Sequence, residues 1–283
     1  MLNQRSSRQG KVAIDKGAWS NGLSDKPSAA RIYDYLLGGF HNFAIDRAIV
    51  DSMLQVQPDL RLGAQANRAF LRRAVRFLVG QGVEQFLDLG SGIPTVGNVH
   101  QVAQAINPRV RVVYVDIDPI AVRHSLSLLD GNDRASALLA DIRQPDAILA
   151  SPEVAGLLDL RRPLGLLAVS VLHYVSDDGK AYEAMAILRD ALAPGSYVCV
   201  AHSSSDANVS EREKLKGLFG KASQAISRPR VQIERFFEGL ELVKPGLVYA
   251  PLWRPESPED LLLDEPWRAF TLAGVARKGG GTE

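Results

Sequence analysis

The stretch Phe86-Leu87-Asp88-Leu89-Gly90-Ser91-Gly92-Ile93-Pro94 reads as a short buried strand that runs into a glycine turn and then toward a helix. In a doubly wound α/β sheet, ligands sit at the carboxyl ends of strands near the switch point, and glycines there let the main chain approach a ligand closely. The chain on the downstream side repeats the unit. Residues 110–115 are a near-continuous β-branched run, residues 135–140, 164–171 and 196–201 give further strands, and helical periods fall between them. Val96, Val99, Ala103 and Ile106 mark one helix; residues 119–129 and 178–192 give two more. Apolar runs of this kind suit parallel strands covered on both faces, and their alternation with helices predicts right-handed crossovers in a mostly parallel, doubly wound sheet. Residues 83–89 supply the first strand, and two last runs, 240–249 and 269–277, bring the expected sheet to seven strands, after helical segments near 211–225 and 231–238.

Upstream, residues 64–79 carry Phe70, Leu71, Ala74, Val75 and Leu78 at helical spacing, and Gly80-Gln81-Gly82 stops the helix. Arg68, Arg72, Arg73 and Arg76 of that helix read as its solvated face. Helical periods broken at Gly38-Gly39 make residues 27–62 an N-terminal helical cap on an α/β domain spanning 63–278, with residues 1–26 as a poorly ordered leader and 279–283 as a frayed tail.

Composition narrows the function classes. The 33 Lys and Arg against 32 Asp and Glu leave a formal charge of +1, which gives no global reason to expect a nucleic-acid partner. Cys199 is the single cysteine and the N-terminus lacks a signal-peptide core, so a reducing cytoplasm fits best. The most apolar stretch, 164–175, is interrupted by Ser170 and His173 and is shorter than the roughly 18 residues of a membrane helix, so no membrane partner is expected. No Cys/His ligand spacing is present, so no metal is expected, and no Gly-x-Ser-x-Gly elbow supports a serine hydrolase.

The strand ends point to a nucleoside. Gly90-x-Gly92 lacks the third glycine of a dinucleotide fingerprint, since Thr95 stands in its place, so a pyrophosphate cradle is not expected. The second strand ends in Val115-Asp116-Ile117-Asp118, where a carboxylate can accept hydrogen bonds from both hydroxyls of a ribose. The third ends in Ala140-Asp141-Ile142, where a carboxylate beside a backbone N–H can read the adenine edge. Taken singly, Asp116 also suits a cap for the helix opening at Pro119, and Asp141 a turn before Pro145. Three successive strand ends together address one nucleoside.

These motifs, with Val171-Leu172-His173-Tyr174 and the turn Leu192-Ala193-Pro194-Gly195-Ser196, resemble in order and spacing those of the class I S-adenosylmethionine-dependent methyltransferases. More narrowly, residues 27–39, with Arg31-Ile32-Tyr33-Asp34-Tyr35-Leu36-Leu37-Gly38-Gly39 at their heart, followed by Asn42-Phe43 and Asp46-Arg47, resemble a bacterial family of such methyltransferases long carried as a domain of unknown function. The resemblance implies a Rossmann-like seven-stranded fold and S-adenosylmethionine as cofactor, with S-adenosylhomocysteine as product. It implies that Gly90 and Gly92 contact the methionine part while Asp88 and Ser91 orient the loop. Asp116 would bind ribose, Ile117 would pack on adenine, and Asp141 with Ile142 would read its edge. Ser170 and His173, at the fourth strand end, would complete the cofactor pocket. Pro94 departs from the pattern, in which a third glycine is common.

Methyl transfer is an in-line displacement, so a dry pocket that aligns nucleophile, methyl and sulfonium does most of the work. A base is needed only for a nucleophile whose proton is held tightly, and histidine suits that role. His173, at the sheet edge, and His41, in the cap, are the two candidates, with His202 a third; each reads more simply as a histidine packed beside the cofactor. Cap aromatics attract a sulfonium and exclude water. Tyr35 and Asn42 are expected to approach the cofactor, while Tyr33, Phe40, Phe43 and Tyr174 line the substrate pocket. Arg68 or Asn67 could reach the cofactor carboxylate, and residues 253–265 could line the acceptor end. The expected activity is methyl transfer to a small-molecule acceptor. The alternatives are a non-catalytic S-adenosylmethionine sensor and, weakened by Thr95, a nicotinamide-dependent oxidoreductase.

Overall fold

The computed structural model describes residues 26–95, 97–206 and 225–280. The expected leader up to residue 25, Val96, almost all of the helical segment expected near 211–225 and the last three residues lie outside the described residues. Five strands, β1 (Gln85–Leu89), β2 (Arg111–Asp116), β3 (Ala135–Leu139), β4 (Gly165–Val169) and β5 (Tyr197–Ser203), run parallel in the order β3-β2-β1-β4-β5. The last strand of the chain, β8 (Thr271–Arg277), pairs antiparallel with β5 along its whole length. The expected strand at 240–249 is split into β6 (Glu241–Leu242) and β7 (Val248–Tyr249), both paired with β8. Pro245, which has no N–H to donate, and Gly246, at φ +93°, interrupt the ladder between them. Among the described residues the sheet therefore has eight strands where seven were expected, two of them sharing one edge.

Side chains alternate between faces along each strand, and both faces are covered. Phe86, Val112 and Tyr114 face α3 (Leu60–Gly80) and α4 (Val99–Ile106), whereas Leu87, Leu89, Val113 and Val115 belong to a second core. That second core is closed by α6 (Pro145–Leu149), α7 (Pro152–Leu157) and α8 (Asp178–Asp190), and by α9 (Arg230–Glu234) beyond β5. The short α6 and α7 each open on a proline, which fits the first helical turn because its missing N–H would have no partner there. Between β2 and β3, α5 (Pro119–Leu128) is capped by Asp118, whose Oδ1 accepts from the Ile120 N–H at 2.8 Å. The cap that sequence offered to Asp116 thus belongs to Asp118.

The cap consists of α1 (Ala29–Leu36) and α2 (Ala44–Val56), which bury Ile32, Leu36 and Val50 against Ala64. The 62/63 boundary falls inside α3, which is continuous from Leu60 and joins cap to sheet. A buried ion pair holds the cap: Arg31 Nε donates to Asp46 Oδ2 at 2.7 Å, and Ser28 Oγ donates to Asp118 Oδ2 at the start of α5.

The arginines of α3 do not form a solvated face. Only Arg76 is exposed, paired with Glu256; Arg73 is buried and donates to the carbonyls of Trp253 (2.9 Å) and Ala250 (2.8 Å). The reason is that α3 is covered on a second side by the chain between β7 and β8. Fully buried Trp253 meets Phe70 and Phe77 edge-on, with centroids 5.4 and 5.7 Å apart. Residues 253–265 are accordingly anchored to α3, and none of them lines the cavity described next.

Candidate functional site

A cavity of about 480 Å³ runs along the carboxyl edge of the sheet from β3 to β8, beneath α1 and the first half of α3. The sequence creates it because parallel strands all end on one side, and every crossover must leave over that edge. At β1 the chain turns on two left-handed glycines. Gly90 (φ +64°) packs so closely that an added Cβ would lie 2.2 Å from Val171 Cγ2, whereas a Cβ on Gly92 (φ +67°) would meet nothing within 4 Å. The first glycine is thus needed by the fold, and the second leaves an open face on the cavity.

The carboxylate of Asp116 fixes this turn. Its Oδ2 accepts from the Gly92 N–H at 2.7 Å and its Oδ1 from the Asp118 N–H at 2.8 Å. Ile117 beside it is 61% exposed, an uncovered apolar side chain on the cavity wall. At the end of β3, Asp141 and Ile142 also line the wall; Asp141 accepts from the Arg143 backbone N–H and guanidinium, each at 2.9 Å. The turn role suggested for Asp141 is therefore present together with its place in the cavity. Asp88, Ser91, Ser170, His173, Tyr174 and Tyr33, with Asn67 and Arg68 of α3, complete the expected residues that reach the cavity. Ser170 sits at φ +60°, unusual for a residue other than glycine, where the chain leaves β4.

Five expected residues lie elsewhere. Tyr35 stands two residues from Tyr33, about 200° around α1, so its ring faces away; it packs under the Arg61 guanidinium, and its hydroxyl lies 3.3 Å from Asp51 Oδ1. Asn42 is buried in the turn after α1, donating to Asp34 Oδ2 (2.8 Å) and to the Gly39 carbonyl (2.9 Å). That same carboxylate takes the His41 N–H at 2.9 Å, which folds the turn inward on its polar atoms and leaves its rings outside. Phe40 is 93% exposed, Phe43 lies under Arg31, and His41 lies tilted beside His124 with centroids 4.3 Å apart. His41 is thereby removed as a candidate base. Sequence reading missed the part of the wall made by Leu60, Gly63, Ile226, Ala269, Phe270 and Thr271, which carries no motif.

Burial sets the electrostatics. It pushes Asp88 up to about 7, with Arg68 opposing the shift and Asp116 adding to it. Burial raises Asp116 as well, against the pull of its N–H donors. Asp141 is held low by its bond to the Arg143 side chain. His173 is brought down to about 4 by burial and by the charge of Arg228, so its imidazole is neutral at physiological pH. His202 is buried and donates Nδ1–H to the Ser203 carbonyl (2.8 Å) while Nε2 faces Arg228 Nη1 (2.7 Å), so it has no proton-transfer face on the cavity.

The whole sequence from residue 20 to 279 matches the profile of the S-adenosyl methyltransferase family. This chain belongs to that family. Its cofactor is S-adenosylmethionine. Among solved structures, it is similar to a candidate methyltransferase from Thermobifida fusca, at 42% identity over 93% of this chain and 100% of that one, with a TM-score of 0.87. It is also similar to a DUF574 family protein from Streptomyces avermitilis, at 35% identity over 90% of this chain and 98% of that one, with a TM-score of 0.84. No curated protein matches. The family's cofactor fits the residues present. Its amino-acid part is a zwitterion, and the open face of Gly92 lies among an acid, Asp88, and a base, Arg68, whose Nε is shut from solvent without a partner. Its nucleoside needs a carboxylate and an apolar shelf, which Asp116 and Ile117 supply.

Proposed function

We propose that this family member transfers the methyl group of S-adenosylmethionine to a small-molecule acceptor held at the β4, β5 and β8 end of the same cavity, in the cytoplasm. The observation that carries the reading is the cavity's extent. It continues past the ends of β1, β2 and β3 to residues at the ends of β4, β5 and β8, and its volume lies in the range of small-molecule sites. A polymer would need an open groove with cationic sides instead.

In this reading the backbone at Gly90 and Gly92 and the Asp88 and Arg68 side chains hold the amino-acid part. Asp116 accepts from the ribose, Ile117 and Ile142 cover the adenine faces, and Asp141 reads its edge. When bound, the cofactor supplies an electrophilic methyl on a sulfonium. Tyr33, Tyr174 and His173 keep water from that centre, which leaves alignment as the main contribution of the chain. No helix among the described residues is long and apolar enough to cross a membrane.

Labelled S-adenosylmethionine incubated with the protein and a cell extract tests the reading. Label is expected in the small-molecule fraction, lost with Asp116→Ala. Label in protein or nucleic acid would contradict the acceptor class; cofactor binding without release of S-adenosylhomocysteine would favour a sensor.

A further inference from the structure

The cavity is divided by charge. Its formally charged lining residues, Arg68, Asp88, Asp116, Asp141 and Arg143, all stand at the ends of β1, β2 and β3 or opposite them on α3. From the end of β4 onward, through Ser203 and residues 225–227 to residues 269–271, the lining contains no Asp, Glu, Lys or Arg among the described residues. What it offers is rings, from His173, Tyr174 and Phe270, with Tyr33 above them, the Thr271 hydroxyl, and the hydroxyls of Ser203 and Ser227, which are bonded to each other at 2.8 Å.

The cation behind this wall among the described residues, Arg228, is spent. Arg228 is 1% exposed, and each of its nitrogens donates to the protein. Nε bonds Asp178 Oδ1 (2.9 Å), Nη1 bonds the Leu172 carbonyl (3.0 Å) and His202 Nε2 (2.7 Å), and Nη2 bonds the Val175 carbonyl (2.8 Å). It clamps the segment bearing His173 and Tyr174 from behind and offers nothing to a ligand. The Ile226 N–H donates to the His173 carbonyl at 2.8 Å, so the two walls of the compartment are tied together. His173 Nδ1 is shut from solvent without a partner, which leaves Nε2 as the ring nitrogen available to a ligand.

Resting on the methyltransferase reading above, we propose that this half of the cavity takes an uncharged, ring-bearing acceptor that presents a hydroxyl to His173, and that the methyl is transferred to that oxygen. A carboxylate, phosphate or ammonium would lose its hydration there with no opposite charge among the described lining residues to receive it. A flat ring matches the aromatic lining. The O–CH3 bond forms as the S–CH3 bond breaks, the bonding pair leaves with sulfur to give neutral S-adenosylhomocysteine, and the hydroxyl proton passes to His173 and then to solvent. His173 is neutral and weakly basic, so it first accepts a hydrogen bond; the proton moves as the oxygen, gaining a third bond, becomes strongly acidic.

Ligand-observed NMR on protein saturated with S-adenosylhomocysteine tests this with one ring in four forms: 2-naphthol, 2-methoxynaphthalene, 2-naphthoate and 2-naphthylmethylammonium. Naphthol is expected to bind, with both ions weaker by about tenfold or more, the cost of an unpaired charge. The methoxy form, which cannot donate, is expected to bind several-fold more weakly than naphthol to the native protein and equally to His173→Ala. Ile226→Lys, or Thr271→Lys if that variant fails to fold, is expected to reverse the preference in favour of naphthoate. An ion binding as well as naphthol, or no ring binding at all, overturns the proposal while the methyltransferase reading stands. Failure of S-adenosylhomocysteine itself to bind in the same sample removes both.

Discussion

The Gly92 N–H donates to Asp116 Oδ2 across 2.7 Å, so the carboxylate at the end of β2 holds the glycine turn at the end of β1. The second oxygen of Asp116 holds the Asp118 N–H, and Asp118 both caps α5 and accepts from Ser28 at the start of the cap. One chain of polar contacts therefore joins the glycine turn, the end of β2 and the cap. A ligand held by any one of these meets a wall that the others keep in place.

Gly90 is the tightest point of that turn. Gly90→Ala places a methyl 2.2 Å from Val171 Cγ2 at a positive φ, and is expected to cost about 2 kcal/mol or more in urea denaturation. Adding Val171→Ala relieves the overlap and leaves roughly the 1 kcal/mol backbone term. A single Gly90→Ala variant as stable as the native protein would show that the turn is laxer than described.

Arg31 is fully buried between Asp46 and Asp118. Arg31→Met leaves the Asp46 carboxylate buried without its cation and is expected to cost about 3 kcal/mol. Because α1 supplies Ile32 and Tyr33 to the cavity, calorimetry should also record weaker binding of S-adenosylhomocysteine. Unchanged affinity would mean that the cap contributes nothing to the site.

Asp88 gives a pH signature. Its folded value of about 7 stands above the usual carboxylate value of 3.8, so between these limits the folded chain keeps a proton that the unfolded chain has released. Stability then falls as pH rises through this window, by up to about 4 kcal/mol. Asp88→Asn is expected to gain stability relative to the native protein at pH 8 and little at pH 4. Equal effects at both pH values, measured by denaturation without ligand, would contradict the assignment.

The two neighbouring tyrosines separate a cavity residue from a packing one. Tyr33→Ala is expected to weaken cofactor binding by about fivefold or more, through loss of a buried aromatic wall, while Tyr35→Ala leaves it unchanged. The reverse order would restore the reading made from sequence.

Tyr33 lines the cavity as expected and Tyr35 does not, which marks where the sequence was legible. The strand ends carrying Asp88, Asp116 and Asp141 could be read because parallel strands are apolar runs, and a polar residue at their end has one edge to occupy. The cofactor side of the cavity follows from that rule. The cap resisted it, since α1 buries the polar side chains of Arg31 and Asp34 along with Ile32 and Leu36, so polarity does not mark its outward face. Tyr33 faces the cavity because Ile32 and Leu36 are packed against Val50 and Ala64, a tertiary fact absent from local spacing. Asn42 and His41 were drawn to the site by their chemistry, whereas the buried Asp34 carboxylate claims both for the turn. The arginines of α3 misled in the same way. Arg73 is covered by Trp253, 180 residues away, and no helical period records such a contact. The cavity wall at residues 269–271 is formed where β8 begins beside the end of β5, a pairing that motif reading does not reach.

The ends of β1, β2 and β3 are proposed to bind S-adenosylmethionine. Calorimetric titration of the purified protein with S-adenosylmethionine, S-adenosylhomocysteine and NADH, beside an Asp116→Ala variant, tests it most directly. Saturable one-to-one binding of both sulfur nucleosides, no binding of NADH and loss of binding in the variant are the results expected. Folded native protein that binds neither sulfur nucleoside, or that prefers NADH, would contradict the account.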